Sequence, residues 1–207
     1  MTKKRLWGIV KILTPPVLTL SRRGFYMVKN KAIVLIDGSN LFHRLKELKF
    51  KNRLEFDYSG LIQYLTKECK LISKTYYVGK IRAKPSDKKG QALRKNQQRL
   101  TAKLLSGNWQ LYFGYLLKNG GVYHEKGVDV KMAMDILVGA YENKYDVVYL
   151  ISSDTDLLPV IEKVRSMEKK VVYVGFSHKP SYALIKNSSE TILLRSEDIK
   201  KFVKIKA

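Results

Sequence analysis

Short runs of consecutive apolar residues constrain the fold of this chain more than any other feature of its sequence. Ala32–Ile36 and Val147–Ile151 are apolar throughout, whereas a strand with one solvated face would alternate apolar and polar residues. Segments with helical periodicity separate these runs. Strands buried on both faces and separated by helices are typical of a parallel sheet that helices cover on both sides. The pattern therefore predicts an α/β fold with a mainly parallel sheet and helices on both faces.

The other elements continue this alternation of strand and helix. Asp57 or Ser59 can cap a helix after the first strand–helix unit. Further along the chain we expect helices over residues 84–105, 128–142 and 157–167, and strands over residues 71–81, 109–117, 171–174 and 191–194. No internal repeat or Pro/Ser-rich linker interrupts this part of the sequence. We therefore expect one domain over residues 28–203, preceded by a flexible, basic extension over residues 1–27.

The excess of basic residues points to a polyanionic partner. Lys and Arg number 40 against 18 Asp and Glu, which gives a formal net charge of +22. Such a charge favours nucleic acid or an anionic membrane surface as the partner. The alternative is a generally lysine-rich surface that has no polyanionic partner.

Composition also excludes several classes of site and segment. One cysteine, Cys69, cannot form an internal disulfide, and with three scattered histidines it cannot build a zinc cluster. The apolar stretch near the start of the chain is interrupted by Lys11 and two prolines, so we expect neither a spanning helix nor a signal peptide there. A basic tail that binds a membrane surface or nucleic acid is the alternative for this segment. We expect a cytoplasmic protein without a membrane partner.

Carboxylates follow both apolar strands at the points where these strands end. Asp37 comes directly after the first strand, and Asp154 and Asp156 follow the second. Because sites in such sheets form outside the carboxyl ends of the strands, we expect these acids at one edge. Acids gathered there would repel one another unless a cation neutralised them. Oxygen ligands without His or Cys favour Mg²⁺ or Mn²⁺ as that cation.

Two further acids, Asp129 and Asp135, lie on the predicted helix 128–142. Six residues of helix place them roughly 120° apart and ~9 Å along the axis, so both can ligate one ion only if Asp129 precedes the helix. Asp135 has apolar neighbours in the sequence, where a carboxylate is costly unless it is paired or faces a metal. We therefore rank Asp37, Asp135 and Asp154 as the central ligands, with Asp156 and Asp129 as additional carboxylates.

Each acid also has a purely structural interpretation. The four acids that precede or begin helices can serve as helix caps, namely Asp37, Asp129, Asp154 and Asp156. For Asp135 the alternative is an ion pair with Lys131, four residues earlier. Asn40 is expected to hold a water molecule or to orient Asp37.

Four short motifs occur in a fixed order along the chain. They are Ile36-Asp-Gly-Ser-Asn40, Glu125-Lys-Gly-Val-Asp129, Met134-Asp-Ile-Leu137 and Ser152-Ser-Asp-Thr-Asp-Leu-Leu-Pro159. This combination resembles the NYN domain in its LabA-like bacterial branch, part of the PIN-like nuclease superfamily. The resemblance implies a Rossmann-like sheet, an acidic Mg²⁺-dependent site built from the five aspartates named above and, as in several members, RNA cleavage.

The hypothesis that follows is a ribonuclease dependent on Mg²⁺ or Mn²⁺. The ion, held by the aspartates, would activate water for hydrolysis of a phosphodiester bond. A basic run would hold the phosphates, through Lys80, Arg82, Lys84, Lys88, Lys89, Arg94, Lys95 and Arg99. The aromatic residues that follow could stack bases or simply be ordinary strand residues, namely Trp109, Tyr112, Tyr115 and Tyr123.

Single-stranded RNA is the expected substrate, because an open groove fits a single strand. The alternative is a non-catalytic RNA-binding or regulatory protein with the same fold. The sequence does not decide the oligomeric state, and a homodimer is one option.

Overall fold

The computed structural model describes residues 18–19, 26–27, 29–50, 54–119 and 122–203, with side chains over residues 29–50, 54–115 and 126–203. The expected flexible extension over residues 1–27 lies outside this range, apart from one short ladder. In that ladder β1 (Leu18–Thr19) pairs antiparallel with β2 (Tyr26–Met27).

A seven-stranded sheet forms the centre of the domain. Its strands are β3 (Lys31–Asp37), β4 (Lys70–Gly79), β5 (Gln110–Asn119), β6 (Val122–Lys126), β7 (Val147–Ile151), β8 (Lys170–Phe176) and β9 (Glu190–Leu194). The order across the sheet is β6-β5-β4-β3-β7-β8-β9. All neighbouring pairs are parallel except β5 and β6, which are antiparallel. The predicted mainly parallel α/β fold is confirmed.

Helices cover both faces of this sheet. They are α1 (Gly38–Glu47), α2 (Tyr58–Leu65), α3 (Lys88–Ser106), α4 (Val128–Tyr141), α5 (Leu158–Ser166), α6 (Tyr182–Asn187) and α7 (Ser196–Lys200), with a 3-10 turn at Thr155–Leu157. Helices α1, α2, α3 and α7 pack on one face, and α4, α5 and α6 pack on the other.

Strand β3 explains why the sheet needs two helical layers. Ala32, Val34 and Ile36 enter the core on the side of α1, while Ile33 and Leu35 enter the core on the side of α4. Every apolar side chain of this strand is therefore buried, which fits its uninterrupted apolar sequence.

Some elements differ from the sequence-based expectations. The segment expected as a strand over residues 109–117 runs on to Asn119 and returns as β6, with Asn119 opposite Val122. Gly120 and Gly121 connect the two in sequence, a pair typical of tight hairpins. Helix α3 begins four residues later than expected because the Asp87 carboxylate accepts a hydrogen bond from the Gly90 amide and caps it. The short helices α6 and α7 were not expected.

Candidate functional site

Asp37 lies at the carboxyl end of β3 and is held from two directions. Its Oδ1 accepts a hydrogen bond from the Asn40 amide at 2.9 Å, so it caps α1. Its Oδ2 accepts one from the Ser152 hydroxyl at 3.2 Å. Asn40, which was expected to hold a water molecule or to orient this acid, contacts it through its backbone amide. Asp37 is 6% exposed, so one oriented carboxylate stands at the edge of the sheet.

The glycine after Asp37 is required by a side chain of the neighbouring strand, β4. The buried ring of Tyr76 on β4 lies directly over Gly38, and its hydroxyl donates to the Gly38 carbonyl at 3.4 Å. A Cβ at Gly38 would fall closer than 3.0 Å to three atoms of this side chain. Glycine after Asp37 therefore lets the Tyr76 side chain pack against the start of α1, and this packing fixes the position of Asp37.

Asp154 reaches the same edge from β7. Strands β3 and β7 are paired with Ile36 opposite Ile151, so the segments that follow them emerge side by side. The Ser152 hydroxyl, which donates to Asp37, also accepts from the Asp154 amide at 3.2 Å. Ser152 is 2% exposed and thus couples the two acidic segments through one buried hydroxyl.

Asp154 itself caps the 3-10 turn that leads into α5. Its Oδ1 accepts from the Asp156 amide at 2.9 Å. Of the two acids that the sequence offered as caps here, Asp154 is the one that caps the turn, and Asp156 lies exposed within it. Two carboxylates therefore stand within two residues of each other beside Asp37.

Asp129 completes the acidic group from the first turn of α4. Burial raises the pKa of its carboxyl, and the negative charges of Asp154 and Asp156 raise it further. Gly127 precedes α4 with φ of 84°, a left-handed conformation that glycine adopts without strain. This turn brings the start of α4 to the acids after β7. We call Asp37, Asp129, Asp154 and Asp156 the acidic edge.

Asp135, ranked above as a central ligand, makes other contacts. Its Oδ2 accepts from the Tyr77 hydroxyl at 2.8 Å, and its Oδ1 pairs with the Lys131 ammonium one helical turn earlier. Burial and the adjacent Asp135 raise the pKa of Tyr77, which keeps the hydroxyl protonated as a donor. Both oxygens are thus engaged by other groups. Asp129 and Asp135 are separated on α4 as the helical geometry requires. Of the two, Asp129 is the acid that lies near Asp154, although Asp135 was ranked higher from the sequence.

The donor chemistry of the acidic edge suits a hard cation. Over residues 29–50, 54–115 and 126–203, no three His, Cys, Asp or Glu side chains lie close enough together to hold a metal ion. Mg²⁺ does not require three, because proteins commonly bind it through one or two carboxylates while it keeps several waters. The acids present offer only oxygen donors, and their mutual repulsion would be relieved by a cation. The residues therefore fit a water-rich Mg²⁺ or Mn²⁺ site.

The eight basic residues expected to hold phosphates are all exposed. They are Lys80, Arg82 and Lys84 in the loop after β4, and Lys88, Lys89, Arg94, Lys95 and Arg99 on α3. The aromatic residues proposed to stack bases differ in their exposure. Trp109 is buried against Tyr58, and Tyr112 packs on Tyr77, whereas Tyr115 is 65% exposed. Tyr123 lies outside the described side chains.

Two residues of the site were missed from the sequence. Ser152 could have been found, because it is the first polar residue after β7 and stands beside Asp37 in a parallel sheet. Tyr77 could not, because its contact with Asp135 depends on how α4 crosses β4.

No helix in the described part of the chain is long and apolar enough to cross a membrane.

Two solved structures align with this chain. The chain is similar over 80% of its length to a protein of unknown function from Vibrio parahaemolyticus, with 22% identity, a TM-score of 0.61 and 93% of that chain covered. A flap endonuclease of bacteriophage T5, solved as a pseudo-enzyme–product complex with DNA and metal ions, aligns over 69% of this chain and 54% of its own, with 16% identity and a TM-score of 0.38. None of the curated proteins matches the chain significantly.

The family model of the NYN domain matches residues 31–195. This range contains all seven strands of the main sheet and the whole acidic edge. The expected resemblance is thereby confirmed. The chain belongs to the NYN domain family, within the PIN-like nuclease superfamily.

Proposed function

We propose that this protein is a nuclease dependent on Mg²⁺ or Mn²⁺ that hydrolyses phosphodiester bonds of single-stranded RNA. One observation carries the proposal: paired strands bring Asp37 and Asp154 to the same edge of the sheet, where the buried Ser152 hydroxyl links their segments. Asp156 and Asp129 lie in the same group, and burial together with the charges of Asp154 and Asp156 raises the pKa of Asp129. In a chain of net charge +22, such acid–acid proximity is costly unless a cation compensates it.

The residues of the acidic edge divide the work. One or two carboxylates among Asp129, Asp154 and Asp156 would hold the ion together with several waters. Asp37, kept in place by the Ser152 hydroxyl and the Asn40 amide, would support them. When bound, the ion supplies a lowered pKa for water and offsets charge that develops on the scissile phosphate. Asp135 is assigned a structural role in this proposal, because Tyr77 and Lys131 already occupy its oxygens.

The basic surface supports a polyanionic substrate. The exposed cations of α3 and the preceding loop lie on the chain directly after β4, the strand beside β3. Phosphate contacts from Lys and Arg dominate nucleic-acid affinity and make it dependent on salt.

A second candidate function is RNA binding or regulation without cleavage. It is favoured by the lack of three converging ligands within the described side chains. In this case the acidic edge would affect stability and cation binding, and the basic surface alone would carry the function.

Cleavage assays separate the two candidates. Labelled single-stranded RNA and DNA of the same sequence are incubated with the full chain in Mg²⁺, Mn²⁺ or EDTA. We expect RNA cleavage only with a divalent ion, and its loss in Asp154→Asn. The matched control is Glu162→Gln, an exposed acid on α5, which should cleave like the wild type.

The outcomes discriminate clearly. RNA binding without cleavage in any divalent ion would support the binding function and reject the nuclease. Cleavage that survives Asp154→Asn would reject the acidic edge as the source of the activity. Preferential cleavage of DNA would reject RNA as the substrate but keep the acidic edge.

A further inference from the structure

Helix α3 is anchored to the domain at its middle, through Gln97. This side chain is 6% exposed. Its amide nitrogen donates to the carbonyl of Gly79 at 2.8 Å, and its oxygen accepts from the Ile81 amide at 2.9 Å. Gly79 is the last residue of β4. Gln97 therefore lies level with the carboxyl end of the sheet, where the acidic edge is located.

Only the part of α3 after Gln97 packs on the domain. Leu100 and Leu104 are buried in the core, but Leu93, on the same face of the helix one turn before Gln97, is 45% exposed. An apolar residue on the inward face is exposed here because no sheet remains beneath it. The nine residues Lys88–Asn96, which make about 13 Å of helix, thus extend past the end of β4.

The loop before α3 is bound to this projecting half. The Gln91 side chain donates to the carbonyls of Ala83 and Lys84 at 3.2 and 3.0 Å, and Asp87 caps the helix through the Gly90 amide. Residues 80–96 therefore form one hydrogen-bonded unit, which we call the basic arm.

The basic arm carries seven cations against one acid, whose carboxylate is used as the helix cap. The cations are Lys80, Arg82, Lys84, Lys88, Lys89, Arg94 and Lys95, all exposed. The arm rises from β4, which neighbours β3 and lies two strands from β7. At roughly 4.8 Å between strands, its base lies about 5 Å from the strand of Asp37 and about 10 Å from that of Asp154.

We propose that the basic arm grips several consecutive phosphates of a nucleic-acid strand and lays that strand across the acidic edge, so that the substrate is an oligonucleotide rather than a dinucleotide. The assignment of the acidic edge rests on the proposed nuclease function, whereas the grip itself does not. Seven exposed cations spread along the arm can contact more than one phosphate of a strand at the same time. Shorter substrates reach the acidic edge without engaging the full arm.

The first test measures binding in EDTA, where no cleavage is expected. The full chain is titrated into fluorescently labelled single-stranded RNA of two to twelve nucleotides, and anisotropy is read over a range of salt concentrations. The arm variant replaces Lys88, Lys89, Arg94 and Lys95 by Gln. The control variant replaces four exposed lysines elsewhere by Gln, namely Lys46, Lys67, Lys163 and Lys200, and has the same net charge.

We expect the arm variant to bind a twelve-nucleotide strand at least about 10-fold more weakly. The slope of log K against log salt concentration should become shallower by about 2 to 3, since each lost contact to a single strand removes about 0.7 from that slope. The control should stay within about twofold of the wild type. Equal weakening of both variants would overturn the proposal, because binding would then follow net charge alone. Circular dichroism and thermal melting check that both variants fold.

The second test uses cleavage in Mg²⁺. If the arm only positions substrate, the arm variant raises KM for the twelve-nucleotide strand, leaves kcat unchanged and cleaves a dinucleotide like the wild type. An arm variant with reduced kcat on the dinucleotide would contradict a pure positioning role. If no chain cleaves at all, the nuclease proposal fails, and the binding results in EDTA still decide the fate of the arm.

Discussion

The contact between Gly38 and Tyr76 makes the acidic edge sensitive to a single methyl group. Alanine at position 38 would place its Cβ closer than 3.0 Å to Cε1, Cζ and Oη of Tyr76. The ring cannot retreat, since it is 1% exposed and packs edge-on against Tyr58 at 5.7 Å between centroids. Alanine favours helices over glycine, so any loss of stability must come from this clash.

The magnitude follows from the cost of overpacking a core. An extra methyl group in a filled site costs about 1–3 kcal/mol. For a domain of this size, each kcal/mol lowers the melting temperature by about 2–4 °C. Gly38→Ala should therefore melt about 2–12 °C below the wild type.

Thermal and urea denaturation measure this effect, with Gly107→Ala as the control. The nearest neighbour of a Cβ at Gly107 is Cδ1 of Trp109 at 3.3 Å, so this variant should change stability by less than about 1 kcal/mol. In the double variant with Tyr76→Leu, the substitution at Gly38 should cost less than it does alone. A Gly38→Ala protein as stable as the wild type would refute the explanation of the Asp-Gly sequence given above.

Three further predictions concern single side chains. Because the pKa of Asp129 is raised on folding, the wild type should lose stability as pH rises from the ordinary carboxyl range through that raised value. Asp129→Asn should therefore be more stable than the wild type at pH 7 in EDTA. This gain in stability should vanish in urea titrations below pH 3.8. Tyr77→Phe removes the hydrogen bond to Asp135 and should cost about 0.5–1.5 kcal/mol in urea denaturation without reducing RNA cleavage, whereas abolished cleavage would return Asp135 to the catalytic group. Gln97→Met leaves the Ile81 amide unpaired and should cost about 1–3 kcal/mol, with faster hydrogen exchange at that amide; unchanged exchange would contradict the anchoring role.

The fold was predictable because its signals are local. Five consecutive apolar residues in Val147–Ile151 can be satisfied only by burial on both faces, and a parallel sheet provides that. The position of Asp37 and Asp154 follows from the same fact, since each comes directly after such a strand. Strand β6 was missed because it pairs antiparallel with β5, whereas the rest of the sequence led us to expect a helix between successive strands.

The composition of the site was harder to predict, because it depends on which way a helix faces. Asp129 and Asp135 both suited a ligand by sequence, and helical geometry allowed both to reach one ion only if Asp129 preceded the helix. One oxygen of Asp135 is engaged by Tyr77, a residue 58 positions away, and no periodicity reveals that contact. The basic run was recognisable from its charge, but its projection beyond the sheet depends on the hydrogen bonds of the buried Gln97.

Asp37 is held by hydrogen bonds, whereas the basic arm makes few contacts with the core, and this difference has evolutionary consequences. Asp37 and Asp154 already accept backbone hydrogen bonds, so their carboxylates are oriented before any cation or substrate arrives. Residues 88–96 contribute almost nothing to the core, and substitutions there carry little penalty for folding. Under the proposed function, a lineage could therefore change how strongly a strand is held by substituting residues in this helical half, while the acids, and the strands that carry them, stay as they are.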